Sequence, residues 1–486
     1  MSVVGLAACA SLESTLPRPS HPYPVSAISP SSPQGGAIQQ ERNSDPVVAQ
    51  GTEQAVPQTP LAQDGYAIRG NAEVATAPRN LQPNLGEAAN VAEEDSVTFR
   101  NGIRFHFPSS GTKAHFGTLI QQDWVFFDQD SDLEAVPSIG DLENGTFFRR
   151  ARVKFDGTTY GFIEWDFDAE LLASSNVVFD DLWVGFKEIE GIGNIRVGHV
   201  KLPQGLESIT SNRVFTFLER SAQHDAFYNE YGPGVLVFDN YAGNRGQWSF
   251  SVHRQDPAGD GVSIGDGEIA GTGRLTGIPY AANNDEQLVH LGLSASYRAA
   301  LDGEVRFRAR PELRIARDTP RFVDTGPILA DDALVLGSEV AVVHGPLSMQ
   351  AEYTVASALG REAATPGGSD DDPVFHGGFV QLSYFLTGEH RPYDRRLARM
   401  GNLSPRKDVS FDDRLAGAWE LAARGTLVDL NDGDIRGGQL DAWTFGVNWY
   451  LNPFFRTQLN YVLTNRDAPD GEGTAHAILM RFSLNL

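Results

Sequence analysis

The chain runs to 486 residues, 41% of them hydrophobic, with 28 Phe, 13 Tyr, 7 Trp and 50 Gly, and it carries a formal net charge of −24. No stretch approaches the run of about 18 to 20 apolar residues that a membrane helix needs, so any crossing of a bilayer falls to a closed barrel of strands, the other structure that pairs every backbone group inside lipid. The acidic balance excludes non-specific nucleic-acid binding, and a single cysteine, Cys9, excludes an internal disulfide framework.

Residues 1–95 contain no Phe or Trp, only Tyr23 and Tyr66, and hold 11 of the 27 prolines among much Ser, Gln and Ala. Such a segment cannot bury enough apolar area to offset its ordering entropy, which predicts a disordered tether ahead of a folded domain at 96–486. Leu6-Ala7-Ala8-Cys9 matches a bacterial lipobox, in which the cysteine is lipidated after cleavage. No basic residue precedes it and the apolar lead-in is only Val3-Val4-Gly5-Leu6. Two readings therefore stand: lipidation at Cys9, or the remnant of an ordinary export signal.

From residue 96 onward the chain alternates with a period of two. In 443–451, Trp443, Phe445, Val447, Trp449 and Leu451 share one face and Thr444, Gly446, Asn448 and Tyr450 the other. The segments 455–463 and 476–486 repeat the pattern. Candidate strands fall near 113–127, 146–155, 159–168, 177–187, 194–202, 233–240, 246–254, 286–299, 302–314, 334–344, 347–357, 374–387, 414–430, 439–450, 454–466 and 474–485. A soluble sandwich shows the same alternation, but it has no reason to alternate short turns (156–158, 345–346, 451–453) with long loops (128–145, 203–232, 255–285, 315–333, 358–373). The expected fold is all-β: a transmembrane antiparallel β-barrel of about 16 strands behind a disordered N-terminal segment. One segment, 388–413, is long where the parity asks for a short turn.

Several segments resemble the phosphate-selective porin O/P family of Gram-negative outer membranes. They are Phe148-Arg149-Arg150-Ala151-Arg152, the run Val197 to Glu207, Phe217-Leu218-Glu219-Arg220-Ser221, Tyr384 to Glu389, Gly417 to Arg424, and Asn448-Trp449-Tyr450-Leu451-Asn452-Pro453. They occur in family order across about 97–486. The resemblance implies a sixteen-stranded barrel, usually a homotrimer, in the bacterial outer membrane; the tether lies outside the resemblance and is expected in the periplasm. It also implies passage of phosphate or other small anions without catalysis or cofactor, and insertion by the barrel-assembly machinery. One departure is the ending Phe482-Ser483-Leu484-Asn485-Leu486, which lacks the terminal aromatic usual in such barrels.

If the apolar face of each strand meets lipid, the other lines the lumen, where charges and dipoles set selectivity. In 146–155 this puts Phe147, Ala151, Val153 and Phe155 outside, with Arg149 on that same face, and points Arg150, Arg152 and Lys154 inward. In 302–310 it puts Val305, Phe307 and Ala309 outside and Arg306, Arg308 and Arg310 inward. Arg196, Arg298, Arg424, Arg456 and Arg481 join them by the same parity, opposed by Glu164, Asp166, Asp168, Asp181 and Glu420. Arg offers forked donors that replace the water a phosphate sheds in a narrow pore. The acids of the loops, Asp128, Asp130, Asp132, Glu134 and Asp370 to Asp372, account for much of the negative charge without touching the wall. Asp128-Gln129-Asp130-Ser131-Asp132 begins like a calcium loop, but Leu133 and Ile139 stand where its glycine and glutamate belong. The chain holds no His-Glu-x-x-His, phosphate-cradling glycine loop or Gly-x-Ser-x-Gly elbow, so a channel is expected rather than an enzyme. Two alternatives remain: a non-selective general-diffusion porin, and a surface β-protein that binds glycans or cells. Aromatic girdles at both ends of the outer face, for which Trp443, Trp449 and Tyr461 are candidates, discriminate the second.

Overall fold

The computed structural model describes residues 95–99, 101–172, 178–255, 268–314, 319–363 and 369–486. The expected tether up to residue 94, Cys9 included, lies outside the described residues.

Sixteen strands form one wall. The first eight are β1 (Thr112–Gln129), β2 (Gly145–Thr159), β3 (Ile163–Glu170), β4 (Val178–Ile189), β5 (Gly193–Lys201), β6 (Tyr231–Tyr241), β7 (Gly246–Arg254) and β8 (Ile269–Ala282). The second eight are β9 (Gln287–Ala299), β10 (Asp332–His344), β11 (Leu347–Leu359), β12 (Val374–Phe385), β13 (Ala418–Asp432), β14 (Ile435–Tyr450), β15 (Phe455–Ala468) and β16 (Gly471–Asn485). Each pairs antiparallel with the next, and β16 pairs back onto β1 from Ala475 opposite Gln129 to Asn485 opposite Leu119. Closure leaves the wall without a free edge, which is what lets strands cross a membrane.

Below the end of β16 the same edge of β1 is taken over by a leading hairpin, Ser96–Phe99 with Ile103–Phe107, which pairs with Thr112 to Phe116. Gly117 sits at the changeover. A Cβ there would stand 2.2 Å from the Leu486 carbonyl oxygen, so a side chain does not fit. Leu486 is held by two 2.9 Å backbone bonds with Thr118.

The alternation resolves into a lipid band and a polar interior. On β15, Phe455, Leu459 and Tyr461 face outward, while Arg456, Gln458 and Asn460 are buried inside. On β14 the outward apolar run extends from Trp449 to Trp443, and the next outward residue is Asp441. On this strand the apolar band covers the seven residues 443–449, within the roughly nine to eleven that a tilted strand needs to cross a bilayer with its interfaces. Tyr241, Tyr280, Tyr384 and Trp449 mark its turn end, and Phe126, Tyr297 and Trp443 its loop end.

Three long connections fold into the barrel. Residues 202–230 and 300–331 enter from the loop end, and 386–417 from the turn end. Phe227, Phe307, Phe322 and Phe375 meet in a buried cluster with Val335, Val428 and Leu440 of the wall. The infolded segments therefore pack against β10 to β16, which leaves the two large cavities mainly on the side of β1 to β9.

Two strand expectations need correction. Residues 302–314 are not a wall strand. Only Glu304–Val305 and Arg308–Ala309 are extended, and they pair with Ile328–Leu329 and Val323–Asp324 inside the barrel. Val305, Phe307 and Ala309, expected in lipid, are 6%, 2% and 0% exposed within the inner cluster. The period of two was real, but a loop laid on an apolar inner surface alternates just as a membrane strand does. The missed strand is β8, whose Gly271, Gly273 and Gly277 leave little hydrophobic pattern to read. The two errors cancel, so the count of sixteen stands.

Candidate functional site

Two cavities lie along β1 to β9, one of about 690 Å³ toward the loop end and one of about 550 Å³ toward the turn end. Arg152, Asp180, Asn212 and Tyr231 line both, so they form the neck between them. Among the described residues each cavity is lined by ten Arg or Lys against seven Asp or Glu side chains, a cationic surplus despite the chain's net charge of −24.

The loop-end cavity is built from β2 and the two infolded segments. Asp225, on the short helix Ala222–Phe227, faces Arg310 at 3.1 Å, Arg321 at 2.5 Å and Arg314 at 3.9 Å. Burial works to raise its carboxyl, but Arg321, Arg310 and Arg314 outweigh burial and hold it below the ordinary value. Arg308 stands beside this group with no side-chain partner among the described residues. Arg306 is half exposed and paired with Asp324 at 2.6 Å. Arg298 lies deeper, donating to the Phe227 carbonyl at 2.8 Å with no carboxylate against it. On the opposite wall Arg149 grips Glu219 at 2.7 and 2.9 Å, and Arg150 donates to Gln121 at 2.7 Å. Glu219 is held well below its ordinary value because Arg149, Arg150 and Arg481 overcome the effect of burial.

At the neck Arg152 pairs with Asp180 and reaches Glu170 at 3.1 Å. Lys201 lies over the Tyr231 ring at 4.9 Å. In the turn-end cavity every expected cation has an acid nearby. Lys154 meets Asp166 at 2.6 Å, and Arg196 meets Glu164 at 3.7 Å while stacking on Trp183 at 4.0 Å. Arg213 of the infolded segment reaches Asp168 at 3.3 Å.

Arg150, Arg152, Lys154, Arg196, Arg298, Arg306, Arg308 and Arg310 thus all border the two cavities. Arg424, Arg456 and Arg481 also point inward, but the infolded segments cover them. Arg424 is 2% exposed, held by Glu312 at 2.7 Å and Glu207 at 3.1 Å. Arg456 donates to the Phe215 carbonyl at 2.7 Å, and Arg481 pairs with Asp123 at 2.6 Å. These three fasten the segment 202–230 to the wall and take no part in lining either cavity.

Arg149 corrects the parity argument. Gln121 pairs with Arg150 and Gln122 with Phe148, so Arg149 is the extra residue of a bulge. The bulge turns Arg149 into the lumen beside Arg150 and moves Phe147 inside and Phe148 outside. Arg220, Arg321, Arg396 and Arg399 were also missed, because their segments read as connections outside the wall, and Arg314 was missed at the end of the candidate strand 302–314. The one available signal was length: residues 203–232 and 388–413 are too long for idle connections. The acids Asp128, Asp130 and Asp132 turn out to border a helix start, where Asp130 caps Leu133 at 2.9 Å and also accepts from Thr474 at 2.7 Å.

The chain also has recognisable relatives among known proteins. The model of the family described as phosphate-selective porin O and P matches residues 123–485. An uncharacterized protein of Caulobacter vibrioides is 28% identical over 422 residues, covering 84% of this chain and 79% of that protein. Porin O of Pseudomonas aeruginosa is 27% identical over 375 residues, covering 69% of this chain and 81% of its own. Among solved structures, an anion-selective porin from Comamonas acidovorans aligns with a TM-score of 0.48 at 12% identity, over 77% of this chain and 100% of that one.

Proposed function

The chain belongs to the phosphate-selective porin O and P family, and from that premise we propose that it is an outer-membrane channel, not an enzyme, whose lumen passes anions with a preference for phosphate or polyphosphate. One observation carries the reading. Arg310, Arg314 and Arg321 converge on the carboxylate of Asp225, with Arg308 beside them, on the wide loop-end side of the neck, where ten cationic side chains face seven acidic ones. The group keeps positive charge to spare at the point where an entering anion gives up hydration, and guanidinium forks match phosphate oxygens. Past it the cations come interleaved with acids, which spreads binding over several weaker sites and lets the ion leave. Arg150, Arg152, Lys154, Arg196, Arg298 and Arg306 are the remaining pore-lining cations of this proposal; Arg424, Arg456 and Arg481 act through the loop they fasten.

The proposal extends to assembly. The barrel is a homotrimer inserted by the barrel-assembly machinery, and residues 1–95 are a periplasmic tether to the barrel of 96–486, with Cys9 as its possible lipid anchor. The test is chloride current through single channels in planar bilayers with phosphate added. Block by phosphate at concentrations where sulfate has little effect supports the preference. Equal passage of small cations and anions makes the protein a general-diffusion porin.

A further inference from the structure

The infolded segment 386–417 does not end inside the barrel; it comes back out over the rim. Its last turn is fixed to the outer face of the wall by two tryptophans, Trp419 donating from Nε1 to the Leu415 carbonyl at 3.1 Å and Trp449 to the Ala416 carbonyl at 2.9 Å. The two indoles stack at 4.9 Å and share their face with Leu421 and Val447 of the lipid band. Val409 donates to the Leu451 carbonyl at 2.8 Å and Gly417 to the Lys407 carbonyl at 2.9 Å, which closes residues 407–417 into a small foot at the turn end. At its tip Phe411 is 95% exposed and Leu415 75% exposed, next to Leu386 at 58%. Among the described residues no other large hydrophobic side chain is as exposed as these two, and a foot with this tip is out of place in water.

We propose that this foot is a membrane anchor, with Phe411 and Leu415 seated in the headgroup region of the bilayer leaflet at the turn end. The occupant is lipid because the foot continues a surface that is already lipid-facing. Its attachment points are girdle tryptophans, whose rings sit at the headgroup level with the polar N–H turned toward a carbonyl. Arg414, exposed between the two apolar tips and without a partner among the described residues, is placed to reach lipid phosphates. The anchor gives the turn-end segment a fixed point outside the lumen. On the inner side the same segment holds Arg391 on Glu420, Arg395 on Asp285 and Arg396 on Glu164, so the foot steadies the groups that line the turn-end cavity.

The test uses the full chain with Cys9→Ser and a bimane label at Phe411→Cys, and separately at Leu415→Cys, reconstituted in phosphatidylcholine vesicles. Both sites are exposed, so neither substitution removes packing. Lipid carrying a doxyl group near its headgroup end is expected to quench most of the emission at both sites, and aqueous iodide little of it. Quenching by iodide but not by doxyl lipid overturns the proposal by placing the foot in water. Protection from both quenchers also overturns it, since the foot then packs against a second copy of the chain.

Discussion

Arg149 and Arg150 are neighbours in sequence, yet both turn into the lumen, and nothing in the alternation announces the bulge that allows it. Arg308 was legible: its parity pointed inward although the strand to which it was assigned does not exist. What the sequence could not give was the partner of each cation, because partners such as Asp225 and Glu219 arrive from distant loops. Those partners decide which arginines matter. Replacing Arg308 and Arg321 with alanine removes charge at one exposed and one half-buried loop position, neither of them in the hydrogen-bonded wall, so the barrel should fold as before. Each lost contact is worth on the order of 1 kcal/mol at a partly screened site, so phosphate block of chloride current should weaken roughly tenfold or more. High salt should shrink the difference. Unchanged block would take this group out of the account.

The same scale gives a pH dependence. Burial first, then Arg220, lowers His224 to about 3, so it stays neutral in the folded protein through the physiological range. In the unfolded chain it protonates near the ordinary value of about 6.5. Between those values the unfolded state holds the extra proton, and stability falls as pH falls. Asp225 and Glu219, held low when folded, lose their stabilisation in the same direction at more acid pH. Unfolding midpoints measured from pH 7 down to pH 4 should therefore decline, and His224→Gln should flatten the upper part of that decline. An identical slope in the variant would show that His224 is not the group responsible.

At the scale of elements, wall strands were easy to read wherever one face is large and apolar, as in β14 and β15, and hard where glycine replaces that face, as in β8. The infolded segment 300–331 was misread for the opposite reason, since Phe307 and Phe322 look as hydrophobic as lipid-facing residues. Phe307 touches Phe227 at 5.7 Å and Phe375 at 5.6 Å, so Phe307→Ala removes the middle of the inner cluster. Such truncations cost about 3 to 5 kcal/mol, here lodged in the loop rather than in the hydrogen-bonded wall. The variant should keep its folded, heat-resistant barrel while single-channel current rises and grows noisy; a quiet current of unchanged size would mean the loop is not held by this cluster. Gly117 is the wall's own weak point. Gly117→Ala puts a methyl group against the Leu486 carbonyl and should lower the yield of heat-resistant barrel on gels. Full recovery would show that the end of β16 shifts without cost.

For the whole molecule, closure and the asymmetric filling of the lumen follow from different parts of the chain. Closure was legible from strand count and loop parity. The filling was not, because it depends on which long connections turn inward, and length alone does not say so. The long segment 388–413, anomalous by parity, is explained once Tyr393 is seen to reach His290 at 2.7 Å across the lumen. A chain starting at Asp95 behind a fresh export signal should still give an outer-membrane, heat-modifiable barrel, because the sixteen wall strands of the described residues all lie beyond that point. Loss of the barrel would assign residues 1–94 a part in folding.

On the proposed function, local cations on the wall, and not the net charge of −24, set the selectivity of the channel. The zero-current potential across a planar bilayer holding the purified protein, under a tenfold potassium chloride gradient, reads this directly. Anion selectivity predicts a reversal potential displaced toward the chloride equilibrium value, with Arg308→Ala and Arg321→Ala together moving it back toward zero. A potential displaced toward the potassium value would contradict the account.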